Sequence, residues 1–269
     1  MCYARAAMID AYLEVAVEAA TRAGALLRSQ IGGPREISYK QSPTNLVTEM
    51  DRRAEALVVE LIRARFPDHS ILAEERGSVA GSPSHRWIVD PLDGTTNYAH
   101  GLPIFAVSVA LEIEGEIALG VVYDPSRDER FVAVRGRGAT LNGGPIRVSA
   151  IPRLAESLVG TGNQYNIHDA VDSNLAEHAL LSRRCQSVRE IGSAVTQLAS
   201  VAAGRLDGFW ELRLGAWDVA AGTLLVEEAG GRVSNLAGGP LDLAAPAVVA
   251  SNGLIHAEII QTLREVRDR

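Results

Sequence analysis

The chain has 269 residues, of which 47% are hydrophobic and 22% charged, and it carries a formal net charge of −7. Such a chain buries a sizeable core as one large domain or two closely packed halves. Its 26 basic residues are dispersed along an acidic chain, which argues against a dedicated nucleic-acid surface and means that any phosphate chemistry needs cations.

Arg5, Asp10, Glu14 and Glu18 interrupt any signal-peptide stretch at the start. Two cysteines, Cys2 and Cys185, predict reduced thiols and a cytoplasmic setting in place of a disulfide framework. Ile9, Leu13, Val17, Ala20, Gly24 and Leu27 recur at steps of three or four, which predicts a helix that stops before Gly32, Gly33 and Pro34. After a loop at Ser42 and Pro43, Thr48 to Asp51 resembles a capping box with Asp in place of Glu. Ala54, Leu57, Val58, Leu61 and Ile62 then carry a helical stripe. Asp51 therefore belongs to a first helical turn, where attraction to the helix dipole is by itself a sufficient structural role. Ser70 to Ala73 reads as a short strand ending in Glu74 and Glu75.

The next segment, WIVDPLDGTTNY from Trp87 to Tyr98, is the most informative. Trp87, Ile88 and Val89 suit a buried strand, and Pro91, which has no N–H, predicts that the ladder ends and the chain turns there. Gly94 lets the backbone approach a ligand closely, and Thr95 or Thr96 is placed to cap a helix whose free N–H groups favour an anion. Carboxylates and a phosphate facing one point repel by roughly 4 kcal/mol per pair at about 4 Å and an effective dielectric of about 20, so a hard divalent cation is needed between them. A lone DxxDGT string is equally a capped surface turn, and context must decide. An EF-hand starting at Asp90 is excluded, because Leu92 stands at its third position and Gly101 at its twelfth.

Phe105 to Ile113 and Glu116 to Tyr123 read as a hairpin around Glu114 and Gly115, and a third strand is predicted near Phe131 to Val134. The glycines at 136, 138, 143 and 144 are read as turns, with no strand-to-helix context for a dinucleotide fingerprint. From about residue 152 strands alternate with helices. We expect a strand at Ser157 to Thr161, helices near Asp169 to Ser182 and Ser193 to Ala203, and a strand near Leu206 to Glu211. Asp218, after Trp217, opens an Ala-rich helix running to Ala229, with Gly230 and Gly231 closing it. An aspartate there is often only a cap. A strand at Ala247 to Ser251 and a helix from about Leu254 to Val266 complete the chain. Leu243 to Ala257 is its most apolar later run, but Pro246 and Asn252 leave it too short and polar to span a bilayer. The expected division is an N-terminal α+β half, residues 1–150, and a C-terminal α/β half, residues 151–269, packed as one compact unit.

With Glu74, Asp90, Asp93 and Asp218 in view, the chain resembles the inositol monophosphatase family of metal-dependent sugar phosphatases. WIVDPLDGTTNY is similar to the family's first signature, and WDVAAGTLLVEEAGG, Trp217 to Gly231, to its second. Glu74–Glu75 after a strand, and SPTNLVTEMD from Ser42 to Asp51, resemble further family segments in the same order. The resemblance covers nearly the whole chain.

It implies a layered αβαβα fold, usually a homodimer, holding two to three Mg²⁺ ions. By the same resemblance Glu74, Asp90 and the Leu92 carbonyl hold one ion, while Asp90, Asp93 and Asp218 hold a second. A third, weaker ion is implied near Glu74. Gly94 and Thr95 bind phosphate through N–H groups, and Asp51 accepts a hydrogen bond from Thr95. In the expected mechanism Glu74 and the Thr95–Asp51 pair orient and deprotonate water for in-line attack on phosphorus. Two ions on the order of 3.5–4 Å apart suit that reaction, and carboxylate, carbonyl and water ligands suit Mg²⁺. No phosphoenzyme is expected, because Cys185 lacks an arginine six residues on and DxxD differs from the DxD of aspartyl-phosphate enzymes.

For the alcohol, the resemblance implies contacts from Glu211, Ser193, Ala194, Asp93 and Asp218. The implied substrate is myo-inositol 1-phosphate or a similar polyol phosphate, with lithium as an inhibitor. Fructose 1,6-bisphosphate, histidinol phosphate and adenosine 3′,5′-bisphosphate are alternatives served by the same cluster. A regulatory protein of RNA or transcription complexes is the alternative of another class. Two departures bear on substrate preference: Asn45 stands where many members carry Asp, and Gly215 leaves the loop before Trp217 without a side chain.

Overall fold

A computed structural model describes residues 2–33, 37–39, 46–163 and 173–267. Helix α1 (Cys2–Gln30) precedes a ribbon of β1 (Ile37–Tyr39) and β2 (Leu46–Thr48), which leads into α2 (Glu49–Arg65). Strands β3 (His69–Ala73), β4 (Gly77–Val79) and β5 (Ser82–Asp93) follow, then the short α3 (Thr95–Ala99). Next come β6 (Ala106–Ile113), β7 (Glu116–Asp124), β8 (Glu129–Val134), β9 (Gly138–Leu141) and β10 (Gly144–Pro145). After a 3₁₀ turn at Leu154–Glu156, the order is β11 (Leu158–Thr161), α4 (Leu175–Leu181), β12 (Ser187–Glu190), α5 (Ala194–Ala202) and β13 (Gly208–Glu211). The last elements are α6 (Ala216–Glu228), β14 (Arg232–Asn235), β15 (Val248–Ser251) and α7 (His256–Arg267).

An eight-stranded sheet has the order β10-β9-β8-β7-β6-β5-β3-β4, and a five-stranded sheet the order β12-β11-β13-β15-β14. In the first, only β3 and β5 pair in parallel; in the second, β12, β11 and β13 pair in parallel, and β15 pairs antiparallel with both β13 and β14. Strand alternation divides the side chains between layers. Trp87 and Val89 face a core shared with α1 and α2, whereas Ile88 faces one shared with α5 and α6. Likewise Phe209 points toward α5 and α6, and Trp210 toward α4 and α7. The layers are therefore α1/α2, the large sheet, α5/α6, the small sheet and α4/α7. This is the αβαβα sandwich that the resemblance implies. Helix α6, buried from Val219 to Val226, lies between two sheets and so carries no polar stripe.

Several expectations change. The ladder does not end before Pro91: β5 continues to Asp93, with a register shift between Asp90 and Asp93 that absorbs the missing N–H. Neither Thr95 nor Thr96 is the cap of α3; Gly94, with φ of 87°, is its N-cap, and Thr95 is the first helical residue. The glycine segment read as turns contains β9 and β10. Helix α4 starts at Leu175 rather than near Asp169, and residues 164–172 lie outside the described residues, as does Asn45. The turn at Glu114 and Gly115 has positive φ at both residues, 53° and 86°, as a type I′ hairpin turn requires. Among the described residues no helix is long and apolar enough to cross a membrane.

Candidate active site

The bulge at the end of β5 sets the first carboxylates. Asp90 is paired opposite Ser108 and Asp93 opposite Ala106, so the irregular Pro91–Leu92 step carries both side chains to one end of the sheet. Asp90 Oδ1 accepts the Leu92 N–H at 2.9 Å, which fixes its rotamer. At Gly94 a Cβ atom would lie 2.9 Å from the Ile104 carbonyl and strain a left-handed backbone, so glycine is required where the strand passes into α3.

Two helix starts from the other half of the chain meet this end. Ser193 caps α5, accepting the Thr196 N–H at 3.2 Å, and its hydroxyl donates to Asp93 Oδ2. The same oxygen accepts the Val195 N–H at 2.8 Å, and the Ala194 N–H also favours the Asp93 charge. Ser193 and Ala194, expected at the alcohol, thus lie against Asp93. At α6, Asp218 Oδ2 reaches back from the first turn to accept the N–H of the N-cap residue, Gly215, at 2.6 Å. The Trp217 ring folds over Gly215 so closely that a Cβ there would sit 2.4 Å from it, which accounts for the absent side chain in this loop. Asp90, Asp93 and Asp218 each present an oxygen within 4.8 Å of the others.

This grouping is electrostatically costly. Burial, then the charges of Glu74, Asp93 and Asp218, push the Asp90 carboxyl well above the ordinary carboxylate range. Burial, then Asp93 and Glu74, does the same to Asp218. Burial lifts Asp93 to about 6 despite its Ser193 and N–H donors. Asp90 Oδ2 is buried and has no hydrogen-bond partner among the described residues unless a carboxyl proton is shared with Asp218. An orphaned oxygen among converging carboxylates fits a hard divalent cation, which takes oxygen ligands and removes the like-charge repulsion.

Glu74 follows β3, and its N–H reaches the Val89 carbonyl at 3.3 Å. Its carboxylate acts on Asp90, Asp218 and Asp51 from outside the 4.8 Å group. Asp51, fully buried in α2, accepts the Thr95 hydroxyl at 3.0 Å, and that hydroxyl also reaches the Leu92 carbonyl at 2.9 Å. Burial raises the Asp51 carboxyl to about 6 against the opposing bonds from Thr48 and Thr95. Glu211, at the end of β13, is buried and is pushed well above the usual range by burial, then by Asp218, Asp93 and Glu190. It therefore stands beside the acidic cluster and not at a solvated strand end.

Two further residues at the site carry little signal in the sequence. Asn97 Nδ2 donates to the Ile191 carbonyl at 2.8 Å and the Ile104 carbonyl at 3.0 Å, tying the α3 turn to the segment that leads into Ser193. Glu55 holds the backbone after Glu74. Asn97 carried a faint signal, as an amide within a Gly-Thr-Thr turn, whereas Glu55 looked like one more polar residue of a helix.

Known proteins share this chain along most of its length. Residues 8–268 match the sequence model of the inositol monophosphatase family. An inositol-1-monophosphatase of Synechocystis sp. is 46% identical over 95% of this chain and 89% of its own length. The Nus factor SuhB of Escherichia coli is 40% identical over 94% of this chain and 96% of its own. The solved structure of an inositol monophosphatase from Anabaena (Nostoc) sp. superposes with a TM-score of 0.88 at 44% identity, covering 96% of this chain and 97% of that one.

Proposed function

This chain belongs to the inositol monophosphatase family, a family of metal-dependent phosphatases, and from that premise we propose that it hydrolyses myo-inositol 1-phosphate or a similar polyol phosphate. Water attacks phosphorus, the ester P–O bond breaks, and the products are inorganic phosphate and the free alcohol. The observation that carries the reading is the meeting of Asp90, Asp93 and Asp218 within 4.8 Å beside the Thr95–Asp51 pair.

Glu74, Asp90 and the Leu92 carbonyl would hold one Mg²⁺, Asp90, Asp93 and Asp218 a second, and a third, weaker ion would bind near Glu74. When bound, such ions supply Lewis acidity to the phosphoryl group, the attacking water and the leaving oxygen. The protein's own groups do the rest. Gly94 and Thr95 would take phosphate oxygens on their N–H groups. The Thr95 hydroxyl would receive a proton from water as it passes its own to Asp51 Oδ1. A carboxyl raised to about 6 is a suitable acceptor near neutral pH. Glu74 would orient the same water. Glu211, with Asp93, Asp218 and the Ser193–Ala194 segment, would accept or direct the alcohol's hydroxyls. Sensitivity to lithium, a homodimeric state and a cytoplasmic location complete the proposal.

The test is phosphate release from a panel of inositol, fructose, histidinol and nucleotide phosphates, each with and without millimolar magnesium. Fastest magnesium-dependent release from inositol 1-phosphate supports the proposed substrate; preference for another ester transfers the same machinery to that ester. A second role in an RNA or transcription assembly draws support from the relative named as a Nus factor. Retention of RNA polymerase or RNA in a pull-down would support it, and a clean pull-down would dismiss it.

A further inference from the structure

We propose that Glu55, which has no part in the reaction above, is the positioning residue that aims Glu74 at the cation cluster; the inference rests on that reading of the site. Glu55 is fully buried in α2, four residues beyond Asp51, so the two carboxylates share one helix face one turn apart. Asp51 reaches Thr95. Glu55 reaches the loop between β3 and β4: its Oε2 accepts the Glu75 N–H at 2.7 Å and the Arg76 N–H at 3.3 Å. Its Oε1 lies 3.2 Å from Arg76 Nε. Glu74 is tied on the other side by its own N–H to Val89 in β5. The backbone is thus clamped immediately before and after the Glu74 side chain, between a rigid helix and the strand that carries Asp90.

Stability alone is a weak reason for this arrangement. A buried carboxylate loses its hydration, and an ion pair to a half-exposed arginine recovers little of that. An apolar side chain in α2 would pack without the cost but could not accept two loop N–H groups. What Glu55 adds is a defined backbone path, and hence a defined direction for Glu74. Partners one step removed from a metal commonly change its affinity about 10- to 100-fold when lost.

The test uses the full chain, stripped of metal, in four forms: wild type, Glu55→Asp, Glu55→Gln and Arg76→Ala. Magnesium binding is measured by calorimetry, the magnesium dependence of phosphate release by assay, and folding by thermal melting. Glu55→Asp keeps the charge but withdraws the acceptor from the loop, and should weaken magnesium binding about 10- to 100-fold, with the half-activating concentration rising in parallel. Glu55→Gln keeps the reach and one acceptor, and should recover most of the affinity. Arg76→Ala leaves the loop N–H bonds intact and should bind as wild type does. Wild-type affinity in Glu55→Asp, with or without a lower melting temperature, would overturn the inference and leave the function standing. Absence of magnesium binding and turnover in wild type would overturn the function itself.

Discussion

Thr95 Oγ1 lies 3.0 Å from Asp51 Oδ1, joining the first residue of α3 to the first turn of α2 across 44 positions of sequence. The other oxygen of Asp51 accepts the Thr48 N–H at 2.8 Å and the Thr48 hydroxyl at 2.6 Å. One carboxylate therefore closes a helix cap and holds a site hydroxyl. The structural role that the sequence offered for Asp51 and the role offered by resemblance are compatible, because they use different oxygens.

If that hydroxyl relays a proton, its removal matters more than the loss of its methyl group. Thr95→Ala should lower kcat about 10²- to 10³-fold, while Thr95→Ser, which keeps the oxygen, should stay within about tenfold of wild type. Steady-state kinetics at saturating magnesium checks this, and equal losses in both variants would remove Thr95 from the chemistry.

Asp93 is held by Ser193 and the α5 N–H groups and lies within 4.8 Å of Asp90 and Asp218. Asp93→Asn should cost at least about 100-fold in activity, since loss even of groups behind metal ligands costs about 10- to 100-fold. The metal-free variant should nonetheless melt higher than wild type near neutral pH, because one repelling charge has left the cluster. Near-wild-type turnover would contradict the assignment.

Glu211 is buried beside Asp218 and Asp93, where a carboxylate can accept hydroxyl hydrogens from a polyol. Glu211→Gln should lower kcat/KM for inositol 1-phosphate about tenfold, the scale of one charged hydrogen bond. Release from 4-nitrophenyl phosphate, which presents no hydroxyls, should change little. A uniform drop on both esters would place Glu211 in the catalytic machinery instead.

His256 is buried at the start of α7, with Ser234 Oγ 2.8 Å and Ser251 Oγ 2.9 Å from its two ring nitrogens. Burial, aided by Arg232, pushes it down to about 4. An unfolded histidine takes a proton below about 6.5. Between about 6.5 and 4 the unfolded chain therefore binds more protons, so this stabilising contribution is complete above that window and is lost as pH falls through it. Urea midpoints of wild type and His256→Gln should differ at pH 7.5 and converge at pH 4.5; a difference unchanged with pH would refute the point.

The long elements were legible because their periodicity matches their burial. Ile9 to Leu27 and Ala54 to Ile62 line the faces of α1 and α2 that meet the large sheet. Strands β9, β12 and β14 were missed because each has four residues and only partial burial, too little pattern to separate from a turn. Pro91 misled because a bulge lets a strand pass a residue that cannot donate. Within the site, charged residues at element ends were legible one by one. Their meeting was not, since Asp93 and Val195 touch across 102 positions and the segment between them carries no local signal of that contact. Glu55 was hidden for a related reason: its partners are backbone N–H groups of Glu75 and Arg76, which any sequence there would supply.

The most direct test of the account is phosphate release from inositol 1-phosphate by protein stripped of metal with EDTA, before and after magnesium is restored. The stripped protein should show no turnover, and restored magnesium should return it in full. Turnover that persists in the stripped protein would contradict the claim that the Asp90–Asp93–Asp218 cluster works by holding cations.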